Sequence, residues 1–289
     1  QRVKLLAETD LIKLGLAGNL KTYRMINYEG RLVPGEQIKY RGAAGGYTLD
    51  PQEQIVYVSA HDNETLFDAV QLKAAAGTPI AERARMAQLG LSLTALAQGI
   101  PFFHAGDELL RSKSLDRNSY NSSDWFNRID WRGQENTFGS GLPPAWDNQS
   151  NWPIMAPLLA NPALKPDASL MQATYEHFRE MLRIRRSTPL FRLRTAAEVE
   201  RMVSFFNNGP DQIPGLIVLF NARPETVTLT IPELANGDLS LHDVQVVSSD
   251  ERVTQSRYTA DGTFSVPGRT TAVFVGPRPL VPAPTPEPT

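Results

Sequence analysis

The sequence predicts an α/β region built on parallel strands, followed by an all-β region of antiparallel strands. Two observations carry the first half. Residues 54–111 read strand, helix, strand, helix, which is a βαβ unit and implies a parallel sheet or barrel. Residues 80–98 also form the most convincing helix in the chain, and Gly99 stops it. One observation carries the second half. Beyond Pro189 the helical period gives way to short β-branched runs separated by turn residues, the signature of an antiparallel sandwich.

The elements follow in order. Residues 5–17 carry helical apolar spacing, with Gly18-Asn19 as a stop. Residues 20–50 are turn-rich, with a small hairpin around Glu29-Gly30. Residues 54–60 predict a short, largely buried strand ending at His61-Asp62-Asn63, and residues 64–75 a helix that Asp62 or Asn63 could cap. Residues 100–104 predict a second buried strand, with Pro101 near its start. Gly106 then opens a short helix. Residues 112–165 are expected to be long and irregular and hold all four tryptophans, Trp125, Trp131, Trp146 and Trp152. Residues 168–187 return to helix, with Arg183, Arg185 and Arg186 placed to suit its dipole. The predicted strands beyond it are 200–206, 215–220, 226–231, 242–247, 263–266 and 271–275.

Composition excludes several classes. With 41% apolar and 21% charged residues the chain has material for a packed core. Twenty-nine basic residues against 31 acidic ones argue against non-specific nucleic-acid binding or a polybasic membrane anchor. No apolar run reaches the roughly 18 residues a transmembrane helix needs. There is no cysteine, hence no disulfide, thiol nucleophile or cysteine-held zinc. The chain begins at Gln1, with neither initiator Met nor signal peptide, as an excised or processed piece would. Six of its 22 prolines fall after Gly276, where Pro alternates with Thr, Ala and Glu. That composition makes residues 277–289 either a disordered tail or a semi-rigid linker to a further extracellular module. Secretion is the location it points to, with a cytoplasmic one left open.

The candidate chemistry sits at the strand ends. His61-Asp62 follows one strand, and His104, Asp107 and Glu108 follow the next. In parallel βα architectures that carboxyl end is where active-site groups gather. Each group also has a local reading: Asp62 or Asp107 as a helix cap, Glu108 as a first-turn carboxylate. The following loop, residues 114–127, mixes short polar groups with aromatic rings, including Arg117, Asn118, Asp124 and Trp125. Sugars are bound by that mixture, hydroxyls meeting polar groups and C–H patches meeting ring faces.

At this level of detail the residues resemble a known family. Val56-Tyr-Val-Ser-Ala-His-Asp-Asn-Glu-Thr-Leu-Phe-Asp68 is similar to the fourth signature region of glycoside hydrolase family 13, the α-amylase superfamily. Gly99-Ile-Pro-Phe-Phe-His-Ala-Gly-Asp-Glu-Leu-Leu-Arg-Ser-Lys-Ser114 resembles the last barrel strand and its loop. Asp116-Arg-Asn-Ser-Tyr-Asn-Ser-Ser-Asp-Trp-Phe-Asn-Arg-Ile-Asp-Trp131 resembles the α-1,6-debranching members, pullulanases and limit dextrinases. Leu11-Ile-Lys-Leu-Gly-Leu-Ala-Gly-Asn-Leu20 is similar to a stretch upstream of these. The resemblance runs from about residue 5 to residue 275.

The resemblance implies retaining hydrolysis of α-1,6-glucosidic bonds in pullulan, limit dextrins or amylopectin. It implies an Asp nucleophile, a Glu acid/base and a third Asp orienting the −1 sugar. Asp62 matches the third Asp. His61, Asn63, Arg117, Asn118, Asp124 and Trp125 fall at substrate-contacting positions, with Asn118 where pullulanases commonly carry Asp. No cofactor is implied, although a structural calcium is compatible with the family.

Two expected parts are missing. No Gly-x-Arg-x-Asp segment supplies the nucleophile, and no Glu follows a suitable earlier strand. Residues 1–188 are also short of the ~250 typical of a closed (β/α)₈ barrel. The expected organisation is the C-terminal part of a TIM barrel (strands seven and eight) over 1–188, a β-sandwich over 189–276, and the tail. Such a chain would need the N-terminal part of the same barrel and would be inactive alone. The alternatives are an α-glucan-binding protein that has lost catalysis, or an isoamylase-like debranching enzyme.

Overall fold

The computed structural model of the chain describes residues 2–206 and 215–276. The first stretch runs α1 (Arg2–Leu16), β1 (Arg24–Ile26), β2 (Leu32–Pro34), β3 (Lys39–Tyr40), β4 (Ala43–Ala44), β5 (Ile55–Val56), α2 (Leu66–Lys73), α3 (Ile80–Leu96) and β6 (Ile100–Pro101). Next come α4 (Ser123–Asn127), α5 (Ala145–Asn148), α6 (Trp152–Leu159), α7 (Ala168–Ser187) and α8 (Ala196–Met202). The last part holds β7 (Leu216–Asn221), β8 (Val227–Thr230), β9 (Ser240–Leu241), α9 (Asp243–Val246), β10 (Arg257–Thr259), β11 (Thr263–Val266) and β12 (Thr270–Val275). The tail 277–289 and the segment 207–214 lie outside the described residues. Among the described residues no helix is long and apolar enough to cross a membrane.

β5 and β6 pair in parallel, Ile55 opposite Ile100 and Val56 opposite Pro101, with α2 and α3 in the crossover. Gly99 makes the approach possible. It sits at φ +93°, and a Cβ there would lie 2.8 Å from the Gln54 carbonyl oxygen. The strands are shorter and far less buried than their apolar sequences predict: Ile55, Tyr57, Val58, Ile100 and Phe102 are all exposed. Parallel strands ordinarily have both faces covered. Here apolar side chains of both strands face solvent.

α3 and α7 form the backbone of the first part. Leu66 and Phe67 of α2, Ala84, Ala87 and Leu91 of α3, Phe138 of the passage after β6 and Met155 of α6 share one buried cluster. Asp167 caps α7, its side chain accepting from Leu170 N at 2.8 Å. Arg185, expected to serve the dipole of its own helix, instead reaches across to α3. Its guanidinium donates to the carbonyls of Ala95, Ala97 and Gly99 at 2.8, 2.7 and 2.9 Å, satisfying acceptors that the end of α3 leaves free.

The last part holds two antiparallel three-stranded sheets, ordered β10-β11-β8 and β7-β12-β9. Ile217, Ala272 and Phe274 of one sheet meet Phe264 and Val266 of the other in a shared core. The two-residue period sends the intervening side chains the other way. Val273 joins Ala95 and Leu96 of α3 and Met181 and Ile184 of α7, so β12 is buried on both faces. Arg85 of α3 adds polar ties to this part, donating to Asp250 Oδ2 and Thr270 Oγ1, each at 2.9 Å.

Several elements depart from expectation. Residues 200–206 are not a strand; α8 ends at Met202, started by a capping box in which Thr195 accepts from Glu198 N and Glu198 returns the bond. Residues 242–247 hold α9, which His242 caps by accepting from Val244 N. β9 and β10 lie outside the predicted strands. The irregular 112–165 passage contains α4, α5 and α6. The helix expected at Gly106 is only a 3₁₀ turn over Asp107–Leu109.

Candidate active site

Because β5 and β6 run parallel, the segments leaving both strands emerge at the same end. Ser59, two residues short of His61, donates to Asp107 Oδ2 at 2.5 Å and lies 3.4 Å from His104 Nδ1. Asp107 is therefore not a cap but a buried tie between the strand ends. Burial holds its carboxyl up at about 6, against the lowering effect of the Ser59 bond. Burial chiefly, with the nearby Arg111 charge second, keeps the His104 imidazole at about 4 and so neutral at pH 7. Arg111 lies 3.1 Å from His104 Nε2 and donates to the Asn127 carbonyl at 2.7 Å. Glu108 is turned back, accepting from Gly106 N at 3.0 Å.

His61 and Asp62 stand out from this buried layer. Their side chains are 89% and 78% exposed and lie 3.7 Å apart, Nε2 to Oδ1. Neither Asp62 nor Asn63 caps α2. That role falls to Thr65, whose hydroxyl accepts from Asp68 N at 3.1 Å. Asn63 takes the left-handed conformation, at φ +61°. Of Asp62, Asp68, Asp107 and Glu108, Asp62 is the acidic residue left largely open to solvent.

Beneath the exposed turn lies a polar layer that sequence reasoning missed. Asp68 is fully buried and accepts from Ser112 Oγ at 2.5 Å and Lys113 N at 2.7 Å. Burial raises its carboxyl to about 6 despite those bonds. The Lys113 ammonium, also buried, donates to the carbonyls of His61 and Asn63 at 3.2 and 2.7 Å. Nothing in the spacing of Asp68 and Lys113 signals this, because they come from elements 45 residues apart.

The other predicted residues lie on the loop after β6. Arg117 is exposed, and its backbone N–H donates to Asn148 Oδ1 at 3.3 Å. Asn118 N donates to Asp116 Oδ1 at 3.0 Å, and Asn148 Nδ2 donates to the same oxygen at 3.1 Å. The buried Asp116–Asn148 pair thus fixes the backbone at both positions. Asp124 and Trp125 are exposed on α4. Trp125 Nε1 donates to the Ser140 carbonyl at 3.2 Å, and the Arg128 guanidinium sits 5.5 Å from its ring centre. His61, Asp62 and Asn63 therefore form one unit, and Arg117 and Asn118 a second. Among the described residues no hydrogen bond or ion pair joins Asp62 to Arg117, Asn118, Asp124 or Trp125. No group of three or more acidic or histidine residues among them is placed to hold a metal ion.

A parallel strand pair with an exposed His–Asp turn on a buried polar bed defines an α/β chain with its candidate site at the strand ends. Comparison with known proteins is specific. The family model for alpha-1,6-glucosidases, pullulanase-type, C-terminal, matches residues 133–219 and 216–277. Pullulanase 1, chloroplastic, of Arabidopsis thaliana is 46% identical over 96% of this chain and 32% of its own length. The crystal structure of PulA from Klebsiella oxytoca superposes with a TM-score of 0.87 at 35% identity, covering 96% of this chain and 28% of that one. A maltotriose complex of PulA from Klebsiella pneumoniae superposes at 0.85 with 35% identity, over 95% of this chain and 32% of that one. The chain belongs to the pullulanase-type α-1,6-glucosidases, matching their C-terminal region, and spans about a third of the length of these relatives.

Proposed function

We propose that this chain is the C-terminal part of a pullulanase that hydrolyses α-1,6-glucosidic bonds in pullulan, limit dextrins or amylopectin with retention of configuration. The observation that carries the reading is the exposed His61-Asp62 turn at the carboxyl end of β5, next to the end of β6. In this reading residues 1–188 are the last part of a (β/α)₈ barrel, with β5 and β6 as its seventh and eighth strands. Residues 189–276 form a β-sandwich packed against it. The exposed apolar side chains of β5, β6 and the residues after them support this, since neighbouring barrel strands would cover them.

Asp62 then stabilises the transition state, and His61, Asn63, Arg117, Asn118, Asp124 and Trp125 contact sugar. The PulA structure with maltotriose supports an α-glucan as ligand. Retaining hydrolysis needs a nucleophile and an acid with carboxyl groups roughly 5–5.5 Å apart. Both roles are assigned to residues outside this chain, which has no Gly-x-Arg-x-Asp segment. The purified chain should therefore release no reducing sugar from pullulan, whereas the longer enzyme containing it should. Turnover by the chain alone, surviving removal of trace contaminants, overturns the reading.

One observation favours a second reading, an α-glucan-binding protein without catalysis. Tyr120 and Trp146 are both exposed and meet edge to face at 5.5 Å, a surface on which sugar rings can stack. Binding of maltotriose to this chain, with no hydrolysis by any longer form, selects that reading.

A further inference from the structure

We propose that Lys113 is a positioning residue that sets the direction of the Asp62 carboxylate by holding the backbone on both sides of it. The proposal rests on the reading of Asp62 given above. The side chain of Asp62 cannot orient itself: it is exposed, with the still more exposed His61 imidazole 3.7 Å away as its side-chain neighbour. Its aim is therefore set by the backbone of residues 61–63. That backbone turns through the left-handed Asn63, and one ammonium group grips the carbonyls of residues 61 and 63 together. The two bonds span Asp62 like a clamp.

The clamp is anchored from below. Lys113 is 1% exposed; burial pushes its ammonium below the ordinary lysine value, and the charges of the buried Asp68 and Asp116 act against that. Its own backbone N–H is bonded to Asp68, and its carbonyl accepts from Asp116 N at 3.0 Å. Leu110, Ser114 and Leu115 all sit at positive φ, between +52° and +67°, so the Lys113 segment is tightly folded. A buried ammonium with no direct carboxylate partner for its Nζ is costly, and the bonds that offset that cost run to the two main-chain carbonyls. What those bonds fix is the turn carrying Asp62. The same segment leads through Asp116 into Arg117 and Asn118, so both units of the site share one anchor.

The experiment is kinetic and uses the longer enzyme containing this chain, with pullulan as substrate. Lys113→Met keeps the stem and removes the donors. The expected result is a kcat lower by roughly 10–100-fold with KM changed less than about threefold, as for a misplaced catalytic group. Lys113→Arg, which restores donors, should recover at least part of the loss. In an Asp62→Asn background, Lys113→Met should cost no more than about threefold, because the group it aims is already gone. A merely structural role would instead lower kcat by the same factor in both backgrounds, which overturns the proposal. If Lys113→Met does not fold, Lys113→Gln, which keeps a polar amide without the charge, is measured in its place. Failure of both to fold makes Lys113 a folding residue and overturns the positioning role. Full kcat in Lys113→Met alongside a crippled Asp62→Asn overturns this proposal alone. Full kcat in Asp62→Asn overturns the reading of Asp62 and this proposal with it.

Discussion

Ser59 donates its hydroxyl proton to Asp107 Oδ2 at 2.5 Å, and that bond joins the segments leaving β5 and β6 at their carboxyl ends. Main-chain pairing of the two strands is short, so this side-chain bond extends the coupling towards the rim where His61 and Asp62 stand. Asp107 Oδ1 is buried without a hydrogen-bond partner, so the Ser59 bond to Oδ2 is the largest interaction that favours the ionised form, ahead of the Leu66 backbone and the Arg111 charge.

Ser59→Ala should therefore destabilise the chain by about 1–3 kcal/mol near pH 8, the cost of stranding a buried acceptor. The sign of the pH effect follows from the raised carboxyl. Asp107 lies above its ordinary value of 3.8, at about 6. Its favourable share of stability is complete below the ordinary value and is lost as pH rises through about 6. The Ser59 bond offsets that loss by favouring the carboxylate. Urea denaturation of the two proteins should thus differ more at pH 8 than at about pH 4.5, where the acid is protonated. An equal difference at both values would show that Ser59 acts by packing rather than through the carboxylate.

The sequence carried the helices better than the strands. α3 and α7 were legible because each is a long run of helix-forming residues with a stop beyond its end, Gly99 for α3 and Pro189 for α7. β5 and β6 were legible as strands from their apolar content, but their burial was not. Alternation and composition report what a side chain would cover, and its neighbours lie elsewhere. Residues 200–206 misled because Val203, Phe205 and Phe206 look like a strand, while the Thr195–Glu198 capping box that starts α8 stands five residues earlier. At the site, His61 and Asp62 were visible through a contiguous motif. Asp68, Ser112 and Lys113 were not, since burial and long-range pairing turned ordinary helix and loop residues into the bed beneath them.

The capping box gives a compact test of that correction. Thr195→Ala removes the acceptor for Glu198 N and should cost about 1 kcal/mol. The loss should appear in the urea midpoint and as weaker packing of Val199 against Leu14 and Leu20. A strand at 200–206 would be indifferent to this change.

Arg185 offers a larger effect. Its guanidinium serves three carbonyls at the end of α3 and the turn into β6. Arg185→Met keeps much of the stem but strands those acceptors. Bonds from a charged donor contribute about 1.5–3 kcal/mol each, with strong non-additivity within one group. A destabilisation of about 3 kcal/mol in urea denaturation is expected. A change under ~0.5 kcal/mol would mean that water reaches these carbonyls and replaces the guanidinium.

Asp62→Asn separates a charge from a hydrogen-bonding shape. Thr65, not Asp62, caps α2, and the Asp62 side chain is 78% exposed, so the fold asks little of it. Surface changes of this kind stay within about 0.5 kcal/mol, and the variant should melt like its parent. Catalysis asks more. Glycoside hydrolysis passes through an oxocarbenium-like transition state in which positive charge grows on the sugar ring. A fixed carboxylate beside that ring binds the transition state more tightly than the neutral substrate, and this difference raises kcat. An amide keeps the shape and one acceptor but carries no charge. In the longer enzyme the variant should lose roughly 10²–10³ in kcat, the usual cost of removing one preorganised electrostatic contact. KM should move far less, because the ground-state sugar is neutral and keeps its other contacts. Measured on pullulan with matched melting temperatures, a variant retaining most of its kcat would make Asp62 a bystander on an exposed turn.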